Sequence, residues 1–108
     1  MSPTGNLGCY ISPDSARCDI RERNWTPPAK PADCKYDYGH GVEVTRTAPA
    51  AFVCAGDSAI DPSSHQLAYG HAIQAGVLRC TSTESGMECT STESGHGFKI
   101  SRESYHLS

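Results

Sequence analysis

Six cysteines, and the company they keep, restrict this chain more than any other feature. They stand at Cys9, Cys18, Cys34, Cys54, Cys80 and Cys89. Leu7 and Ile11 flank Cys9 two positions away, Ile20 follows Cys18, Phe52 precedes Cys54, Leu78 precedes Cys80, and Met87 precedes Cys89. A period of two places cysteine and apolar neighbour on the same face of a strand. The even count, without a CxxC or Cys-x-His cluster, reads as a disulfide framework and not as a zinc site. The framework answers a shortage. The 108 residues include only 4 Leu, 5 Ile, 4 Val and 2 Phe, below the usual aliphatic and aromatic share of a packed core. The net charge of −3 is too small for the signature of disorder. Cross-links therefore stand in for missing apolar area. Disulfides persist in oxidising compartments, so the chain is expected to be secreted or associated with a cell envelope, its signal peptide or anchor removed ahead of Met1. No apolar run reaches the length of a membrane-spanning helix.

Turn signals divide the chain into short strands. Ser2-Pro3-Thr4-Gly5 suits a type I turn, with Pro at its second position and Gly at its last. Leu7, Cys9 and Ile11 then alternate, Ser12-Pro13-Asp14-Ser15 turns, and Ala16, Cys18 and Ile20 alternate on the way back. With Pro13 and Asp14 at the turn centre, Cys9 and Cys18 face each other. Trp25-Thr26-Pro27-Pro28-Ala29-Lys30-Pro31 reads as an extended, polyproline-like connector, pinned to the body by Trp25. Val42 and Val44 mark a further strand, and Ala51-Phe52-Val53-Cys54 another. A helical turn is expected after Asp61, with Pro62 at its first position, and residues 66–76 read as loop with a short strand.

Near the end the heptapeptide Cys-Thr-Ser-Thr-Glu-Ser-Gly occurs twice, from Cys80 and from Cys89. Each copy is expected to close a three-residue hairpin loop with its Gly in the left-handed region. Phe98 and Ile100 alternate in the last strand, which Tyr105 caps. The preferred disulfides are Cys9–Cys18, Cys34–Cys54 and Cys80–Cys89, although spacing alone leaves other pairings open. The expectation is one domain over residues 1–108, all-β, a small disulfide-rich antiparallel sandwich or open barrel of about seven short strands.

Several motifs recur together in this order: Gly5-Asn6-Leu7-Gly8-Cys9, Ala16-Arg17-Cys18-Asp19-Ile20, Trp25 with Pro27-Pro28, Cys54-Ala55-Gly56-Asp57, Leu67-Ala68-Tyr69-Gly70, and Gly95-His96-Gly97-Phe98-Lys99-Ile100-Ser101-Arg102. The series resembles a family of small exported actinobacterial proteins of unknown function, found in mycobacteria and their relatives. The resemblance implies secretion or envelope association. It implies no activity and carries over no catalytic residues.

Charge argues against nucleic acid, because nine Lys and Arg are scattered among twelve Asp and Glu without a basic stripe. The five histidines, His40, His65, His71, His96 and His106, have no i, i+4 pairing, so no metal or other cofactor is expected. Two groups of residues are candidates for binding. Asp57 and Ser58, with His65 and His71, fall on the longest loop, and loops on a rigid scaffold commonly carry function. Tyr36 and Tyr38 flank Asp37, and alternation would put both rings on one side. A hydrolase would use Ser58 or Asp57 with one of those histidines, but the GxSxG elbow is absent. The competing reading has Asp57 bonding loop amides and Ser58 capping a turn. The favoured expectation is a monomeric, non-enzymatic exported module that binds a protein or an envelope glycan. A small extracytoplasmic hydrolase and a secreted inhibitor are the alternatives.

Overall fold

Strands form where apolar and polar residues alternate between turn signals, and the computed structural model, which describes residues 1–60 and 66–108, contains nine of them. The first sheet holds β1 (Leu7–Ile11), β2 (Ser15–Ile20), β3 (Tyr38–Thr45) and β4 (Ala51–Cys54). The second holds β5 (Ala72–Ala75), β6 (Leu78–Thr83), β7 (Gly86–Ser91), β8 (Gly97–Ile100) and β9 (Tyr105–Leu107). Strand order in each sheet follows chain order, and every pairing is antiparallel. Two meanders therefore lie face to face as a sandwich. β5 is the short strand expected within residues 66–76, and the strand that was not expected is β9, which has only three residues and no strong alternation signal. The helical turn expected after Asp61 lies outside the described residues. Among the described residues no helix is long and apolar enough to cross a membrane.

The core is what alternation predicts. Leu7, Ala16, Cys18, Ile20, Val42 and Val44 come from the first sheet; Leu78, Cys80, Met87, Cys89, Phe98 and Ile100 come from the second. All three expected disulfides are present, and they are consistent with an extracellular location. Cys9 pairs directly with Cys18, and Cys80 with Cys89, at Cα separations of 4.1 and 4.0 Å. These are the close, non-hydrogen-bonded pairs of an antiparallel ladder. The two bridges meet between the sheets, with Cys18 Sγ 3.8 Å from Cys89 Sγ. Both sulfurs are oxidised, so this is a dispersion contact and not a hydrogen bond. Cys34–Cys54 spans 5.9 Å between Cα atoms and ties the end of the connector to β4.

Aromatic rings close one side of the sandwich. Trp25 lies edge-on to Tyr105 at 4.7 Å and beside Phe52 at 5.9 Å, and Phe52 meets Tyr105 at 5.0 Å. The Trp25 indole N–H donates to the Ser101 carbonyl at 2.7 Å. The connector is thus pinned by Trp25, as its composition implies. The Ala50 amide donates to the Ser108 carbonyl at 3.0 Å and ties the start of β4 to the end of β9.

The turns divide into expected and unexpected ones. Gly5 N–H bonds the Ser2 carbonyl at 3.0 Å, and Ser12 N–H bonds the Ser15 carbonyl at 2.8 Å across Pro13-Asp14. The two heptapeptide copies, however, do not make the same turn. In the first, Thr83 pairs with Gly86, which leaves a two-residue loop, Glu84-Ser85, and Gly86 belongs to β7 with φ 134°. In the second, the strand stops at Ser91, Gly95 N–H bonds the Ser91 carbonyl at 2.9 Å, and Gly95 takes a left-handed φ of 80°.

Burial sets an order of chemical access. Cys54 is exposed and Cys34 half-buried, whereas Cys18, Cys80 and Cys89 are at most 2% exposed. Graded reduction with alkylation and peptide mapping is expected to label Cys34 and Cys54 first. Losing that cross-link should cost roughly 3 kcal/mol in chemical denaturation. First labelling at Cys80 or Cys89 would contradict the buried placement.

Candidate functional site

β2 is buried on both faces, which an edge-exposed sandwich strand would not be. One face carries Ala16, Cys18 and Ile20 into the core; the other carries Arg17 and Asp19. Asp19 sits in a row between two glycines, opposite Gly8 on β1 and Gly41 on β3. A Cβ at Gly41 would collide with the Asp19 carboxylate, and a Cβ at Gly8 would collide with the backbone at Ala59 and Ile60. The glycines thereby let the segment after β4 lie down over the outer face of the first sheet.

Arg17 holds that segment. Its Nε donates to Asp19 Oδ1 at 3.0 Å and its Nη2 to Asp19 Oδ2 at 2.9 Å, a bidentate fork. Its Nη1 reaches Asp57 Oδ1 at 3.2 Å, and its Nη2 also reaches the Asp57 carbonyl at 3.1 Å. Asp19 Oδ2 accepts the Ala59 amide at 2.9 Å, and the Tyr10 ring lies 5.9 Å from the guanidinium carbon. Burial of Arg17 works against its charge, but the hydrogen bonds and charge of Asp19, with Tyr10 and Asp57, outweigh it and raise the pKa above the ordinary arginine value. A raised pKa stabilises the fold below the unfolded value and loses that contribution only as pH rises through the folded value. For arginine that window lies above the working pH range, so the guanidinium is a fixed positive charge.

The expected candidates separate under this arrangement. Asp57 is engaged by Arg17, although its side chain is 77% exposed. Ser58 Oγ accepts the Ile60 amide at 3.1 Å and caps a turn. Both line a cleft of about 460 Å³ with Arg21, Asp37 and His40. His71 does not line it: it stands just before β5, where its amide bonds Ala68 and its carbonyl accepts from Ser82. His65 lies outside the described residues. Tyr36 and Tyr38 are not a pair on one strand face, because β3 begins only at Tyr38. Tyr36 is 61% exposed and lies near Gly56; Tyr38 is half-buried against Phe52 at 5.9 Å.

Sequence reasoning passed over Arg17 and Asp19. The available signal was an Arg-x-Asp pair in a strand whose other face is wholly apolar. It also passed over Arg21, Arg23 and Arg102, and weighed His40 only as a metal ligand; the four gather at one end of the sandwich and line one shallow cleft with Trp25.

Breaking a buried, hydrogen-bonded ion pair from one side leaves a charge unpaired. Arg17→Met and Asp19→Asn, whose native side chains are 7% and 4% exposed, are each expected to lose about 3–5 kcal/mol in urea unfolding. Asp57→Asn, at an exposed carboxylate, should lose about 1 kcal/mol or less. Equal losses at Asp19 and Asp57 would show that the buried fork does not hold the segment.

The motifs noted in the sequence turn out to share this construction. Gly8, Arg17, Asp19 and Asp57 form the clasp, Trp25 and Pro27 pin the connector, and Ser101 and Arg102 receive it. No curated protein and no solved structure matches the chain. The model of a family of unknown function, DUF6636, matches residues 2–108, and the chain belongs to that family.

Proposed function

We propose that the protein is an exported, non-enzymatic binding module of the bacterial cell envelope or extracellular space. The observation that carries this reading is the use the fold makes of Asp57 and Ser58. The carboxylate and carbonyl of Asp57 are held by Arg17, and the Ser58 hydroxyl oxygen accepts the Ile60 amide. The carboxylate that would serve as base in a hydrolase instead fastens a loop to a sheet, and the serine caps a turn within that loop. His71 stands outside the cleft that Asp57 and Ser58 line. Three disulfides and the Arg17 fork add rigidity, which lowers the entropy cost of presenting a surface to a partner.

Two measurements test the reading. Immobilised protein is expected to retain a component of an envelope fraction, and Ser58→Ala should retain it to within about twofold. A fluorophosphonate probe is expected to leave the protein unlabelled. Labelling that disappears in Ser58→Ala would establish a nucleophilic serine and remove the proposal in favour of a hydrolase.

A further inference from the structure

Basic side chains are scarce on this acidic chain, yet three arginines share one end of the sandwich. Arg21, Arg23 and Arg102 line a shallow cleft with Trp25 and His40, and Glu22 is the single carboxylate among its lining residues. Arg21 also lines the two neighbouring clefts, so three depressions converge on its side chain. Among the described residues Arg21 has no ion pair or side-chain hydrogen bond, and it is exposed. Among the described residues the one ion pair of Arg102 is long, 4.0 Å to Glu22, with both side chains more than half exposed. Arg23 lies over the Trp25 ring at 5.2 Å, and its Nη1 meets His40 Nδ1 at 3.0 Å. A guanidinium can only donate, so Nδ1 is the acceptor of this bond.

The backbone beneath these side chains is fixed. Arg21 N–H bonds the Asn6 carbonyl at 2.9 Å, and Asn6 grips Glu22 twice, accepting its amide at 2.8 Å and donating to its carbonyl at 3.0 Å. Asn24 N–H bonds the Arg102 carbonyl at 2.7 Å, which joins the segments that bear Arg23 and Arg102. Guanidinium forks held on such a frame suit a tetrahedral oxyanion. Within this cleft three arginines face one carboxylate, a surplus that a divalent anion matches and a monovalent carboxylate does not; Asp37, Asp57, Glu84 and Glu103 line the two neighbouring clefts.

We propose that this cleft binds a phosphate group, as the free ion or as a monoester carried on a sugar or polymer. The assignment rests on the binding-module reading and names its ligand class. The Asp57–Ser58 segment then serves as scaffold, and the recognition surface lies at the end of the sandwich.

The test is an NMR titration of the intact, oxidised protein with inorganic phosphate, glucose 6-phosphate and glucuronate at constant ionic strength. Saturable shifts are expected at His40 and at the Trp25 indole with a phosphate probe, and only weaker, linear shifts with glucuronate. Arg21→Ala and Arg102→Ala should each weaken phosphate binding roughly tenfold, while Arg79→Ala, at an exposed arginine on β6, leaves it unchanged. Both positions are exposed, and retained spectral dispersion verifies that the variants fold. Binding of glucose 6-phosphate alone identifies carried phosphate as the ligand; binding of inorganic phosphate alone identifies the free ion. Glucuronate binding as tightly, an unsaturable response, or full binding by Arg21→Ala each overturn the proposal. Envelope retention that survives Arg21→Ala, with no phosphate response, would remove the phosphate site and leave the module reading standing. A phosphate response without any envelope retention would do the reverse.

Discussion

The contact between two disulfides at the centre of the sandwich supports the rest of the structure. Cys9–Cys18 staples β1 to β2, Cys80–Cys89 staples β6 to β7, and the Cys18 and Cys89 sulfurs touch across the sheets. A chain with so few large aliphatic residues cannot fill the space between two sheets with leucine and isoleucine. It fills the middle with four sulfurs and completes the layer with Ile20, Val42, Val44, Leu78, Met87 and Ile100. The bridges act twice, as core atoms and as constraints on the unfolded chain. Each sits at a directly opposed pair, so it also fixes the register of its hairpin.

The second organising interaction works on the outside of the first sheet. A buried ion pair is weak evidence for stability, because desolvation offsets much of its attraction. Its better-attested value is specificity of placement, and the Arg17–Asp19 fork has that character. It admits one position for the segment after β4, with Asp57 on Arg17 and the Ala59 amide on Asp19. Glycines on either side of Asp19 clear the approach. The consequence for function is direct. Residues that resemble a reactive cluster when read along the loop become fasteners when the loop is seen against the sheet. The exposed, sparsely partnered groups are elsewhere, at the end where the chain leaves β2 and β8.

The candidate site was less legible than the scaffold for a reason of distance. Hairpin turns, facing cysteines and the Trp25 anchor depend on neighbours close in sequence or on a single large side chain, and composition reveals them. The partner of Asp57 is Arg17, 40 residues away. Nothing near Asp57 reports that it is already engaged, whereas the turn cap of Ser58 uses Ile60, two residues on, and was legible locally. The basic rim is harder still. Arg21 and Arg23 follow β2, His40 lies within β3, and Arg102 follows β8. Scattered in sequence, these residues dilute each other among acids; only the sandwich brings them to one cleft. Tyr36 and Tyr38 show the converse, since a pattern that suits a strand face was interrupted where β3 begins.

By itself the sequence determined the all-β class and most strand positions, because alternation and turn chemistry act over a few residues, and it favoured the disulfide pairing that the fold adopts. It could not determine what its own repeat would do. Cys-Thr-Ser-Thr-Glu-Ser-Gly is identical from Cys80 and from Cys89, so local propensity is identical too. The first copy runs straight through Thr83 into a two-residue turn, and its Gly86 backs against the Ile100 carbonyl, where no Cβ fits. The second ends its strand at Ser91, whose hydroxyl donates to the Arg46 carbonyl at 2.8 Å, while Glu93 lies 3.7 Å from Arg46 and Thr92 N–H bonds the Val77 carbonyl. The neighbours differ, and backbone groups take the partners the fold offers them. Tertiary contacts therefore chose between two turns that the same seven residues allow, as they chose which polar residues fasten the fold and which remain open to a ligand.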